Sequence, residues 1–162
     1  MEIGIISDTH MPKRAKKIPH EVLTAFKDVD LIIHAGDLCN EAVIKELEAL
    51  APVNAVCGNI DDISLQQKLP KKLNINANGF LIGVIHGDGG KRGKTLDRAV
   101  EAFKEDNVDC IIFGHSHIPH ISLRGEVLLF NPGSATDKRR NRYFSYGLLT
   151  IKDKIEARIV YF

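Results

Sequence analysis

Short apolar runs recur along the chain, and the residues between them set two different periods. Runs such as IGIIS, LIIHA, LIGVI and CIIF have the length and β-branched content of strands buried on both faces. Strands are predicted near Glu2–Ser7, Asp30–Ala35, Val53–Cys57, Leu73–Ala77, Phe80–His86 and Asp109–Gly114. Further short strands are expected around Ile121 and over Val127–Phe130, Ser145–Ile151 and Ile155–Val160. Elsewhere the period is helical. Val43, Ile44, Leu47 and Leu50 make one apolar face over Glu41–Leu50, and Pro52 ends that segment. Pro19 suits the first turn of a short helix, and another helix is predicted near Lys94–Glu105. Strand–helix alternation in the first half implies parallel strands with crossover helices. The second half is richer in hairpins, with Asn78-Gly79 a type I′ turn signal between two strands. Such a chain cannot simply extend one parallel sheet. The expected fold is α/β, with two mixed sheets packed face to face and helices outside.

Composition is that of an ordinary globule: 162 residues, 44% hydrophobic, 27% charged, with a net charge of +1. One domain over residues 1–162 is expected, since no repeat or linker interrupts the pattern. No apolar run approaches the roughly 20 residues needed to span a bilayer, and no secretory signal is read before the first strand. Cys39, Cys57 and Cys110 form no CxxC pair, so reduced thiols and a cytoplasmic setting are expected. Charge is unevenly placed. Lys13, Arg14, Lys16 and Lys17, then Lys91, Arg92 and Lys94, then Lys138, Arg139, Arg140 and Arg142 fall in three loops. Together they predict a positive rim that attracts anions.

The candidate chemistry sits where the strands end. Asp8-Thr9-His10, Asp37, Asn59, His86 and His115-Ser116-His117 each follow a predicted strand directly. Ligands of open α/β sheets bind outside the carboxyl ends of strands, so these donors can converge. Asp8 and His10 are two apart, as are His115 and His117, a spacing that lets each pair reach one ion. Mixed carboxylate, imidazole and amide donors suit Mn, Fe, Zn or Ni better than the all-oxygen cages of Ca or Mg. Seven donors exceed one tetrahedral ion but suit two ions sharing a carboxylate. Two such ions about 3.5–4 Å apart can lower the pKa of a bridging water and stabilise attacking and leaving oxygens.

In order, Asp8-Thr9-His10, Gly36-Asp37, Gly58-Asn59, His86 and Gly114-His115-Ser116-His117 resemble the motif set of the calcineurin-like metallophosphoesterases. The short length, the SDTH opening and the Asn131-Pro132-Gly133-Ser134 loop make the chain similar to the small bacterial and archaeal phosphodiesterases of that family. The resemblance implies a four-layer α/β/β/α sandwich. It implies one ion held by Asp8, His10 and His117, a second by Asn59, His86 and His115, and Asp37 bridging them. Manganese is the first expectation, with nickel, iron or zinc as alternatives. The implied activity is phosphodiester hydrolysis by a metal-bridging hydroxide, with Asp37, Asn59 and His86 acting in catalysis. Asn59, Arg14, His120 and Ser134 are the expected substrate contacts. The expected partner is a small-molecule or oligonucleotide phosphodiester, with no membrane and no stable nucleic-acid complex. The group often forms dimers or larger assemblies, so a homo-oligomer is allowed.

One position departs from the wider family. Larger members carry a histidine after the Gly-Asn pair, placed to protonate the leaving group, and here that position is Ile60. General acid catalysis contributes roughly 10²–10⁴-fold, so slow turnover and a preference for acidic leaving groups are expected. Asp61 or an ordered water is the substitute proton source to consider. Asp88 stands where relatives often have another histidine. His34 is expected to pack or to support the ligands, His20 to lie at the surface, and Cys39 to fill a small core position. Asn131 and Ser134 are expected to orient His10 or a phosphate.

Two rivals are weaker. Asp88–Thr95 nearly matches a P-loop, but Asp88 stands where glycine is required and would repel phosphates. A eukaryotic retromer subunit shares this fold, has lost metal ligands and serves as a protein-interaction scaffold. Here every ligand position holds a competent donor.

Overall fold

The computed structural model describes residues 1–89 and 93–162. Among the described residues, ten strands form two mixed five-stranded sheets. The first contains β1 (Glu2–Ile6), β2 (Leu31–His34), β3 (Val53–Ala55), β9 (Ser145–Ile151) and β10 (Ile155–Tyr161), in the order β10-β9-β1-β2-β3. The second contains β4 (Lys72–Ala77), β5 (Phe80–Ile85), β6 (Cys110–Phe113), β7 (His120–Arg124) and β8 (Val127–Asn131), in the order β4-β5-β6-β8-β7. Strands β1, β2 and β3 run parallel, as do β5, β6 and β8. Hairpins add the antiparallel strands at the sheet margins.

Period-2 alternation sorts each central strand between two cores. Ile3, Ile5, Leu31 and Ile33 of the first sheet pack against Ile82, Val84, Ile112 and Phe130 of the second, which makes the core between sheets. Their neighbours face outward. Ile6 and Ile32 meet Val22, Val43, Leu47 and Leu65 from helices α1 (His20–Ala25), α2 (Ala42–Glu48) and α3 (Ile63–Lys68). Ile111 and Phe113 meet Ala99 of α4 (Thr95–Ala102) and Phe103 just after it. The four layers are therefore helices, sheet, sheet and helix, as the sequence pattern and the resemblance imply. No described helix is long and apolar enough to cross a membrane.

Three features refine the sequence expectations. The last hairpin, β9–β10, returns to the first sheet and pairs antiparallel with β1. Helix α3 was not predicted: at six residues it is too short to show a helical period, and Asp62 caps it by accepting from the Leu65 N–H at 2.9 Å. Pro19 stands at the N-cap of α1, one residue before its first turn. Lys91 and Arg92, expected on the positive rim, and the middle of the rejected P-loop segment lie outside the described residues.

Candidate metal centre

Strands β1, β2 and β3 end side by side in one sheet, and β5 and β6 end side by side in the other. The turns leaving them meet over the top of the core between sheets. The turn after β1 follows the turn after β2 through three backbone bonds, Asp8 N–H to Gly36 O, His10 N–H to Asp37 O and Met11 N–H to Leu38 O, at 3.0, 3.0 and 3.1 Å. From the second sheet, the His115 N–H donates to Asp8 Oδ2 at 3.0 Å and the His86 Nδ1–H to Ala35 O at 2.7 Å.

This convergence requires unusual backbone. Asp8, His10, Asp37, His115 and His117 all have φ between 48° and 64°, the left-handed region that side chains other than glycine rarely adopt. Such residues persist only where surrounding structure over-determines them, and they concentrate at functional sites. Two glycines admit the close approach. A Cβ on Gly58 would overlap Asp37 Oδ1, and one on Gly114 would overlap the Ser7 hydroxyl.

Each carboxylate has one oxygen fixed by the protein and one presented to the site. Asp8 Oδ2 accepts from the Ser7 hydroxyl at 2.7 Å and from the His115 N–H, while Oδ1 points to His117 Nε2 at 3.4 Å and His10 Nε2 at 3.8 Å. Asp37 Oδ1 accepts from the Ile60 N–H at 3.1 Å, while Oδ2 lies 3.2 Å from His86 Nε2 and 3.5 Å from His10 Nε2. The donors fall into two groups, Asp8–His10–His117 and Asp37–His86–His115, each with ligand atoms within 4.8 Å of one another. Asn59 Oδ1 joins the second at 3.1 Å from His115 Nδ1. The seven expected donors thus lie close together: Asp8, His10 and His117 in one group, Asp37, His86 and His115 in the other with Asn59 beside it, and Asp37 also 3.5 Å from His10.

The polar atoms left over identify what the site fits. Among the described residues, four buried side-chain polar atoms lack a hydrogen-bond partner: Asp8 Oδ1, His10 Nε2, His86 Nε2 and His117 Nε2. Burying such atoms unpaired costs about 1–3 kcal/mol each. All four point into the same small space, which coordination to divalent ions would satisfy together. The electrostatics agree. Burial alone would raise the Asp37 pKa, yet the His86 contact and the Ile60 N–H pull it down to about 2. Burial alone would lower the His86 pKa, yet Asp37 and Asp8 lift it to about 9. Asp8 is likewise lowered against its own burial, by His10, His86 and His117. The site favours positive charge at this point, whether proton or metal. Burial lowers His115 and His117, which keeps their lone pairs free for an ion.

The supporting shell corrects several sequence expectations. Ser134 does not reach a substrate: it is buried, its hydroxyl donates to Asp8 O at 2.8 Å, and it accepts from the Thr136 and Asp137 N–H groups. Those three bonds exhaust a hydroxyl. Asn131 holds the His115–His117 turn, not His10, by donating to Gly114 O at 2.9 Å. His34 is buried between the first two turns. Its Nδ1 accepts from the Gly36 N–H at 3.2 Å, which leaves Nε2–H to donate to Thr9 Oγ1 at 3.1 Å. His117 donates from Nδ1 to the Asp137 carbonyl, and Arg14 pairs with the Asp137 carboxylate at 3.2 Å. Arg14 remains 60% exposed and keeps donors facing solvent. His120 lines a groove of about 500 Å³ with Leu96, Phe113, Ser116 and Ile118, a groove whose wall includes none of the seven donors. Asp61, the expected substitute for the missing histidine, is buried, and each of its oxygens accepts a backbone N–H. The three cysteines are free and buried.

Two donor groups facing one shared carboxylate, at the strand ends of a four-layer sandwich, define a metallohydrolase-type centre. The chain belongs to the calcineurin-like phosphoesterase superfamily, whose domain model matches residues 1–154. It is 40% identical over 160 residues to a probable metallophosphoesterase of Methanothermobacter thermautotrophicus, covering 99% of this chain and 92% of that one. It is 31% identical over 147 residues to the phosphodiesterase MJ0936 of Methanocaldococcus jannaschii, covering 82% and 83% of the two chains. Among solved structures, it resembles Vps29 of Entamoeba histolytica complexed with zinc, with a TM-score of 0.81, 26% identity and 99% of each chain covered.

Proposed function

We propose that the protein is a two-metal phosphodiesterase. The observation that carries this reading is the set of four buried, unpartnered ligand atoms converging from both sheets. Bound at these donors, two divalent ions would supply an activated water at neutral pH and a clamp for phosphoryl oxygens. Asp8, His10 and His117 would hold one ion, Asn59, His86 and His115 the other, and Asp37 would contact both. Manganese is proposed first, because mixed carboxylate and imidazole donors accept it and leave nickel, iron and zinc as competitors.

The chain's own residues do the rest. Asn59 is exposed beside the second group, which suits an amide that touches both an ion and a substrate oxygen. Arg14 presents free guanidinium donors to an approaching anion. Arg14 also lines a groove of about 560 Å³ with Lys138 and Arg142, against one acid, Glu21, and the excess positive charge there favours an anionic diester. Where larger relatives have a histidine, Ile60 offers no proton. Departure of the leaving group then depends on its own acidity, which is the physical reason to expect slow turnover of alkyl esters. The resemblance to Vps29 raises a scaffold as the second reading. A scaffold has no need for costly orphaned donors, and one relative, from Methanocaldococcus jannaschii, is named a phosphodiesterase.

The test strips the protein of metal and resupplies Mn, Ni, Zn or Mg singly. Hydrolysis of bis-p-nitrophenyl phosphate is then compared with that of p-nitrophenyl phosphate. Metal-dependent cleavage favouring the diester is expected. A folded protein inactive with every metal would contradict the proposal.

A further inference from the structure

Asp61 is a buried carboxylate with no part in the two donor groups, and its hydrogen bonds are unusual in where they lead. Its Oδ1 accepts from the Cys39 N–H at 2.7 Å and its Oδ2 from the Gly58 N–H at 2.7 Å. The side chain is almost wholly buried. Cys39 is two residues beyond Asp37 in the turn after β2, and Gly58 immediately precedes Asn59 in the turn after β3. The pairing of these strands runs from Ile32↔Val53 to His34↔Ala55 and no further, with one more bond from the Val56 N–H to His34 O. Beyond that point the ladder stops, although the two turns stay in contact where Gly58 meets Asp37. The Asp61 carboxylate ties the two turns together there, one oxygen to each.

Neighbouring bonds tighten the same region. The Ile60 N–H donates to Asp37 Oδ1, and the Asp62 N–H to Cys39 O at 3.2 Å. Gln66 donates to the Asp61 carbonyl at 2.7 Å, which fixes the segment to α3. The first donor group is secured by other means: Ser134 and Thr136 hold the Asp8–Thr9 backbone, and His34 holds Thr9. His86 and His115, which follow strands of the second sheet, are secured by bonds to Ala35 O and Asp8 Oδ2.

We infer that Asp61 is a positioning residue that sets the separation of Asp37 and Asn59, and so selectively assembles the second of the two metal positions. This rests on the two-metal reading of the site. A carboxylate is required because each oxygen must accept. An asparagine of the same shape accepts at one end only and turns an NH₂ toward a backbone N–H at the other.

The test compares wild type with Asp61→Asn, and with Asp61→Ser, which leaves room for water to serve the two amides if the first variant folds poorly. On metal-free protein, amide hydrogen exchange is expected to speed up at least tenfold at Cys39 and Gly58, with Asp8 and His10 amides unchanged. Equal protection at Cys39 and Gly58 in the variants would overturn the inference, whatever the metal content. In equilibrium dialysis against Mn²⁺, the variants should keep the tighter site within about threefold and lose at least tenfold at the other. Equal weakening of both sites would reduce Asp61 to a general structural role and overturn the inference. Wild-type protein binding fewer than two ions would instead contradict the two-metal reading, and the exchange result would still decide whether the clamp exists.

Discussion

Asp37 Oδ2 and His86 Nε2 lie 3.2 Å apart, although Asp37 follows a strand of one sheet and His86 a strand of the other. The contact closes the top of the sandwich with an acid and a base aimed at one space. If it is a ligand pair, His86→Ala or Asp37→Asn should lower kcat/KM for a diester by about a hundredfold or more, since even outer-shell partners typically cost 10–100-fold. The metal-free variants should stay folded but melt below wild type, because each change leaves the other member of a buried acid–base contact without its partner. Steady-state kinetics beside calorimetry separates loss of chemistry from loss of fold.

His34 gives a pH dependence that does not involve a ligand. Burial holds its pKa near 3 against an ordinary 6.5, so the unfolded chain binds a proton there that the folded chain refuses. Its contribution to stability is full above pH 6.5 and is lost as pH falls toward 3, at up to about 1.4 kcal/mol per pH unit. Asp8 and Asp37, both lowered, lose stability in the same direction at lower pH. In His34→Asn the amide oxygen can still accept from the Gly36 N–H. That variant should be less stable at pH 7.5 by about 1–2 kcal/mol, with a shallower decline between pH 6.5 and 4. Urea unfolding across that range checks the slope.

Gly58→Ala would place a methyl group against Asp37 Oδ1 and the Asp37 backbone nitrogen. Neither can retreat without moving the shared carboxylate. A destabilisation of about 1–3 kcal/mol is expected, together with weaker metal binding. Gly79→Ala, where an added Cβ meets nothing within 4 Å, would be strained only by its positive φ and should leave metal binding unchanged. Metal titration of the two variants tells the effects apart.

Ile60 predicts a steep dependence of rate on leaving-group acidity. Across a series of aryl and alkyl diesters, log kcat should fall sharply as the leaving-group pKa rises. Ile60→His should flatten that line, with a gain of about tenfold or more for the poorest leaving groups, within the roughly 10²–10⁴-fold range of general acid catalysis. A line unchanged by the substitution would place the proton source elsewhere.

The seven donors were legible in the sequence because each follows a strand that its own apolar run announces, and strand ends in such folds gather on one side. The two-layer core was legible in the same way, since Ile3, Ile5 and Ile6 alternate between faces as a strand requires. What the sequence hid was partnership. Nothing local shows that both oxygens of Asp61 are taken by backbone amides, or that Ser134 spends its hydroxyl on Asp8. Nothing local sends the β9–β10 hairpin back to β1, because that pairing joins residues far apart in the chain. The left-handed backbone of Asp8, His10, Asp37, His115 and His117 was equally hidden, as none is glycine.

The most direct test is anomalous diffraction from crystals grown with manganese. A two-metal site predicts two peaks per chain, one among Asp8, His10 and His117 and one among Asn59, His86 and His115, with Asp37 in contact with both. A single peak, or none at saturating manganese, would contradict it.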